Sequence, residues 1–225
     1  MDDIMKITRE EFVKYVGHSL LKPELTKEEV IKGLELAKEL KTASVCINPQ
    51  NVKLATEILA RTDVRVGTVI GFPSGAHTTA TKVFETKDAY KNGAVEMDMV
   101  IDVGALKSKD YQKVYDDIKA VVDASPAVVK VILENAYLTK DEIKKGSVIV
   151  EEAGAHYVKT STGFAQSGSN VEDLNIMRSA VSDKVKVKAA GGLKNLQDCL
   201  DAIEAGADRI GISITLEIMN EIDEE

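Results

Sequence analysis

The sequence predicts an α/β protein in which eight strand–helix units close into a (β/α)8 barrel, and three observations carry that expectation. Short apolar runs alternate with amphipathic helical stretches along the whole chain, and eight such runs are found. Three segments, KNGAVEMDMV, EAGAHYVKTS and EAGADRIGIS, each set Gly-Ala between a helix end and a strand start. Their glycines, Gly93, Gly154 and Gly206, suit the left-handed position that ends a helix. Each interval between them holds two strand–helix units, so one unit takes roughly 26 to 30 residues. Strands separated by helices imply right-handed crossovers and a parallel sheet, and a count of eight favours closure. An open doubly wound sheet is the alternative, but no Gly-x-Gly-x-x-Gly follows a strand.

The elements follow in order. VGHSLLK is the first strand, and TKEEVIKGLELAKEL is a helix opened by a capping box of Thr26 and Glu29, with Val30, Leu34 and Ala37 at helical spacing. ASVCINP is a strand stopped by Pro49, followed by a helix near 50–60. VRVGTVIGF is a strand ending in the turn Phe72-Pro73-Ser74-Gly75. A helix near 79–92, the strand VEMDMVI, a helix near 108–123 and the strand AVVKVIL come next. Thr139 and Glu142 cap the following helix. Then come HYVKT, a helix near 170–180, KVKVK, a helix with Leu196, Cys199, Leu200 and Ile203 on one face, DRIGI and a closing helix. The expectation is one barrel domain spanning residues 1–225.

Composition narrows the function classes. With 225 residues, 44% of them hydrophobic and 29% charged, the chain can bury a substantial core, and disorder is not expected. A net charge of -8 disfavours non-specific nucleic-acid binding, so an anionic substrate would have to be held by local groups. Two cysteines, Cys46 and Cys199, are too few for a disulfide framework and lack metal-type spacing, which fits a reducing cytoplasm. The beginning of the chain lacks a signal-peptide apolar region, and no apolar run approaches a membrane span. His18, His77 and His156 show no metal-binding spacing, so no metal and no cofactor are expected. His18 is expected to pack or to make a structural hydrogen bond, and Cys46 to be a small core residue; its functional alternative is an accessible thiol.

In a barrel of this kind the chemistry sits at the C-terminal ends of the strands. Side chains alternate along VEMDMVID, so Glu96, Asp98, Val100 and Asp102 share one face while Val95, Met97, Met99 and Ile101 share the other. The apolar set faces the helices, and Asp98 points into the barrel, where a carboxylate needs a partner. In KVKVK, Lys184, Lys186 and Lys188 likewise face opposite to Val185 and Val187. Lys159 ends the sixth strand and Lys188 the seventh, which are neighbours in a barrel. Two ammonium groups brought close repel, so the more buried one should titrate low. A neutral amine to condense with a carbonyl, a cation to depress its pKa and a carboxylate to move protons make an imine-forming site. The bland alternative is a buried Lys159–Asp98 ion pair with Lys188 as a rim charge.

These residues also carry a resemblance. VKTSTGF with VKAAGG, VCINP, VIGFPSGA, EMDMVIDVGALKSKD and GADRIGIS resemble deoxyribose-phosphate aldolase, in the same order over nearly the whole chain. The resemblance implies a class I aldolase on a (β/α)8 barrel that reversibly cleaves 2-deoxyribose 5-phosphate to acetaldehyde and glyceraldehyde 3-phosphate without a metal or other cofactor. It implies Lys159 as the Schiff-base lysine, Lys188 as the second lysine and Asp98 as the proton-relay carboxylate. Thr160, Thr162, Gly163, Gly191, Gly192, Gly211 and Ser213 are the expected substrate contacts. The implied partners are a small-molecule aldehyde or sugar phosphate, with no nucleic acid and no membrane, and further copies of the chain in a dimer or tetramer.

Several positions depart from the family pattern. Gly17 stands where a pocket carboxylate is usual, Ser74 where Leu is common, and the last strand runs Gly211-Ile212-Ser213-Ile214-Thr215 where Gly-Thr-Ser-Ser-Gly is usual. Phosphate in such barrels is held by backbone amides after the last two strands and by a helix N-terminus. Apolar Ile212 and Ile214, and Thr215 in place of a glycine, predict weakened phosphate binding and wider tolerance of unphosphorylated aldehydes. The other readings are a metal-dependent aldolase or phosphosugar isomerase, disfavoured by the missing ligands, and a non-catalytic sugar-phosphate sensor, disfavoured by the intact trio.

Overall fold

A computed structural model describes residues 7–224. A short helix α1 (Arg9–Phe12) leads into β1 (Val16–Leu20), followed by α2 (Lys27–Leu40), β2 (Ser44–Ile47), α3 (Val52–Ile58), β3 (Arg65–Ile70), α4 (Thr79–Lys91) and β4 (Glu96–Val100). Two helices, α5 (Val103–Lys107) and α6 (Tyr111–Asp123), precede β5 (Val128–Ile132). The chain continues with α7 (Lys140–Glu152), β6 (Tyr157–Lys159), α8 (Val171–Ala180), β7 (Lys186–Ala190), α9 (Leu196–Glu204), β8 (Arg209–Ile212) and α10 (Thr215–Glu224). All eight strands pair in parallel, and β8 returns to β1, so the barrel closes in sequence order. The predicted barrel is therefore the observed fold. No described helix is long and apolar enough to cross a membrane.

Local chemistry sets the boundaries. The capping boxes at Thr26–Glu29 and Thr139–Glu142 form as expected, and Thr8–Glu11 makes a third. Gly93, Gly154 and Gly206 all have positive φ, at 106°, 81° and 94°. The helix expected near 108–123 is α6, which starts at Tyr111, and the short helix α5 before it is an addition. Asp102 caps α5, Lys109 turns left-handed at φ 61°, and Asp110 caps α6, so the Lys107-Ser108-Lys109-Asp110 segment is a break rather than a first turn. The seventh strand starts two residues later than expected. Val185 N–H donates to Ser182 O at 3.1 Å, and this turn keeps Lys184 off the sheet; Lys188 is consequently mid-strand, not terminal.

The core lies between barrel and helices. Met97 and Met99 on β4 face it as predicted, with Val129 and Val131 on β5 and Val158 on β6, all fully buried. A buried ion pair, Lys82–Asp117 at 2.6 Å, joins α4 to α6, and Lys82 Nζ also donates to Val100 O at 2.9 Å. The last turn of β4 is thus fixed from outside as well as by its neighbours. At the other side of the barrel, His18 Nδ1 and Thr215 Oγ1 are 2.8 Å apart, tying β1 to the start of α10. This is the structural hydrogen bond expected for His18.

Burial pushes the His18 imidazole down to about 4, against a smaller opposing pull from Glu217. Its pKa is lower in the fold than in the unfolded chain, so between pH 4 and 6.5 the unfolded state binds more protons. Stability from this group is present above pH 6.5 and is lost as pH falls toward 4. The expected amount is on the order of 3 kcal/mol. Urea unfolding of wild type and His18→Asn should therefore show a stability gap that narrows from pH 6.5 to 4; a constant gap would contradict it.

Candidate active site

Asp98 sits at the middle of β4, in register with Lys130 of β5. Lys159 of β6 is in register with Lys188 of β7. In-register neighbours on parallel strands share a face, so all four side chains point into the barrel. They meet there. Asp98 Oδ2 accepts from Lys159 Nζ at 2.7 Å and from Lys188 Nζ at 2.7 Å, while Oδ1 accepts from Lys130 Nζ at 2.8 Å. Lys130 also donates to Glu96 Oε2 at 2.6 Å, and Arg209 Nη2 stands 4.0 Å from Glu96 Oε1. The trio singled out from the sequence is assembled, and Lys188 is a buried partner of Asp98 rather than a rim charge.

The charges in this layer do not balance. Lys130, Lys159, Lys188 and Arg209 are buried against only two buried acids, Glu96 and Asp98. Burial raises the cost of ionising Asp98, but Lys130, Lys159 and Lys188 outweigh it and hold the carboxyl well below the usual range. Glu96 is also lowered, since Lys130 and Arg209 overcome its burial. Burial would drive Lys130 down, yet Asp98 and Glu96 together raise it above an ordinary lysine. Lys188 yields instead: burial, reinforced by Lys159 and Lys130 and opposed by Asp98, pushes it down to about 8. The sequence places the depressed amine on the nucleophile, Lys159, with Lys188 as the cation beside it; the structure puts the lowered pKa on Lys188 instead, which is 1% exposed against 3% for Lys159 and so takes the larger desolvation.

Above the cluster opens a cavity of about 540 Å³. Lys159 lines it, whereas Lys188, Lys130 and Asp98 lie beneath. Of the expected substrate contacts, Thr162, Gly163, Gly191, Gly192, Gly211 and Ser213 line the cavity too. Thr160 does not. Its Oγ1 donates to Ala190 O and accepts from Ala190 N–H, both at 3.1 Å, so this hydroxyl is engaged in joining β6 to β7. Gly191 and Gly192 have φ of 72° and 78°, a left-handed pair that a side chain would strain. Phe164 walls the outer side, its ring edge-on to Phe72 with centroids 5.3 Å apart. Cys46 is buried with Sγ 3.8 Å from Asp98 Oδ2, and burial, then Asp98, pushes its thiol pKa up. That environment makes it a neutral core residue, as expected, and not an accessible thiol.

Lys130 carries no role in the sequence reading, and Glu96 is only assigned a face. The signal was available: in AVVKVIL, Lys130 interrupts an apolar strand at the position opposite Asp98. Removing it takes away the hydrogen-bonded partner of Glu96 and leaves the longer contacts to Arg65 at 3.6 Å and Arg209 at 4.0 Å. Lys130→Met is expected to lower stability to urea by about 3–5 kcal/mol, because a buried charge loses its partner. Adding Glu96→Gln should recover part of the loss. Unchanged unfolding midpoints for both variants would contradict this assignment.

Comparison with known proteins agrees with this geometry. Residues 5–221 match the family model described as DeoC/LacD family aldolase. A deoxyribose-phosphate aldolase of Streptococcus suis is 55% identical over 208 residues, covering 92% of this chain and 94% of that protein. The solved structure of QR15, an aldolase, superposes with a TM-score of 0.89 at 40% identity, covering 100% of this chain and 97% of that one. The tetrameric deoxyribose phosphate aldolase of Aeropyrum pernix gives a TM-score of 0.89 at 28% identity, over 96% of this chain and 92% of that one. With eight parallel strands converging on a buried lysine–aspartate cluster under an open cavity, the chain belongs to the DeoC/LacD family of aldolases.

Proposed function

We propose that this protein is a class I aldolase that reversibly cleaves 2-deoxyribose 5-phosphate to acetaldehyde and glyceraldehyde 3-phosphate through a Schiff base on Lys159. One observation carries the assignment of the nucleophile: of the three lysines on Asp98, Lys159 alone lines the cavity. The substrate follows from the similarity to the Streptococcus suis enzyme. The tetramer of the Aeropyrum pernix enzyme supports assembly of this chain as well, into a dimer or tetramer.

The chemistry follows from the shared carboxylate oxygen. Lys159 and Lys188 both donate to Asp98 Oδ2, so a proton lost by the pair can be redistributed across that oxygen. Lys188, near 8, is the member that releases a proton close to neutral pH, which lets Lys159 present a lone pair to the C1 aldehyde. Addition gives a carbinolamine, water leaves, and a protonated imine forms. The C3 hydroxyl then gives its proton to the Asp98–Lys188 pair, C3 becomes the carbonyl of glyceraldehyde 3-phosphate, and the C2–C3 electrons flow into the iminium as an enamine. C2 takes a proton back, and water hydrolyses the imine to acetaldehyde and the free amine. Asp98, ionised and flanked by cations, acts as the bridge, and Lys188 as the proton store.

A second reading concerns the substrate's far end. Ile212 is an apolar wall of the cavity, and the Thr215 hydroxyl is already held by His18. Gly191, Gly192 and Ser213 remain for an anion, with Lys22 on the same cavity. This arrangement favours a weakened phosphate grip and acceptance of unphosphorylated aldehydes.

Both readings meet in one experiment. Acetaldehyde followed by borohydride should leave a reduced two-carbon adduct on Lys159 by peptide mass mapping. Folded Lys159→Leu should show neither adduct nor turnover. An adduct elsewhere, or cleavage activity surviving in that variant, would overturn the assignment. In a parallel kinetic comparison, a far higher efficiency on 2-deoxyribose 5-phosphate than on unphosphorylated substrates would sink the second reading.

A further inference from the structure

Glu134, just past the end of β5, combines two unfavourable features. It is a non-glycine residue in the left-handed region, at φ 57° and ψ 64°, and its carboxylate is buried, 2% exposed. Both oxygens go to one residue: Oε1 accepts from Thr162 N–H at 3.2 Å, and Oε2 accepts from the Thr162 hydroxyl. No described cation stands within ion-pair distance of it. A buried acid with only neutral donors is a costly arrangement, and it is concentrated beside the lysine that lines the cavity.

The surrounding bonds show what the carboxylate controls. Leu133 N–H donates to Lys159 O at 2.9 Å and Asn135 N–H to Thr160 O at 3.0 Å, so the backbone on either side of Glu134 is laddered to the end of β6. Thr162 Oγ1, while donating to Glu134, accepts from Phe164 N–H at 3.0 Å. Phe164 in turn leans on Phe72. A hydroxyl oxygen carries two lone pairs and one proton, so Thr162 Oγ1 can hold Phe164 N–H and the Glu134 side chain at the same time. Glu134, Thr162 and Phe164 thus form a chain of bonds from the barrel rim to the aromatic wall of the cavity.

We infer that Glu134 is a positioning residue, which through Thr162 fixes the loop after β6 so that its wall residues, Thr162, Gly163 and Phe164, hold the substrate against Lys159. It acts through reach and hydrogen bonding and not through its charge. The catalytic part of this inference rests on the aldolase reading above.

Two variants separate reach from charge. Glu134→Asp keeps the carboxylate but is one methylene too short for Thr162; Glu134→Gln keeps the length, and its amide can accept from Thr162 N–H and donate to Oγ1. Glu134→Asp is expected to lower kcat and the rate of borohydride trapping at Lys159 by about 10- to 100-fold, the loss typical of a misplaced reacting geometry. Glu134→Gln should stay close to wild type. Hydrogen exchange of the Thr162 and Phe164 amides should accelerate in Glu134→Asp alone, with the rest of the barrel protected as before. Wild-type rates in Glu134→Asp, or an equal loss in Glu134→Gln, would overturn the inference. Absence of any adduct in wild type would overturn the aldolase reading and the catalytic half of this one, while amide exchange still judges the clamp by itself.

Discussion

One carboxylate, Asp98, holds the interior of this barrel together. It is fully buried, accepts from three ammonium groups and is, among the described residues, the only acid within ion-pair distance of two of them, Lys159 and Lys188. Three lysines converging in a dry barrel without it would repel one another and face desolvation with no counter-charge. With it, the excess of positive charge is reduced but not cancelled. That residual imbalance is the functional resource, because it makes one amine give up its proton within the physiological range.

The fold supplies what this arrangement needs. Parallel in-register pairing puts Asp98 level with Lys130 and Lys159 level with Lys188, so long side chains from four consecutive strands reach a common point. Small residues make the room. An added Cβ on Gly211 would lie 3.2 Å from Lys188 Cε, and one on Gly17 would lie 3.7 Å from Lys188 Nζ. Gly17 is also the position where the family pattern carries a carboxylate. Its absence leaves Lys188 without a second acid beside it, consistent with the lowered pKa. The polar layer is sealed from the helices by the outward apolar residues of the same strands, such as Met97, Met99 and Val131. Alternation along each strand therefore builds the core and the chemistry from one pattern.

Much of this was legible in the sequence, and the reasons are physical. Lys159 and Asp98 stood out because a charge among apolar strand residues must be partnered, and alternation told which way Asp98 points. The helix-end glycines set the repeat length, and hence the count of eight. Other features were hidden for equally concrete reasons. Lys130 belongs to the same strand pattern but has value only through its register with Asp98, which is a property of pairing. The start of β7 depends on a turn at Ser182, and the break between α5 and α6 on a left-handed lysine, which composition rarely announces. Thr160 looked like a substrate contact because it follows Lys159, yet alternation and pairing turn it to β7. Glu134 was silent for a similar reason, since its partner is 28 residues away.

The most direct test of the central claim is a lysine side-chain nitrogen NMR titration of the folded protein, with assignments from single-lysine variants. The account predicts that Lys188 loses its proton near pH 8 while Lys130 keeps its own beyond the normal lysine range, with Asp98 ionised throughout. A Lys188 ammonium that persists to pH 10 or above would mean that Asp98 fully neutralises the cluster, and the proton economy described for this site would be wrong.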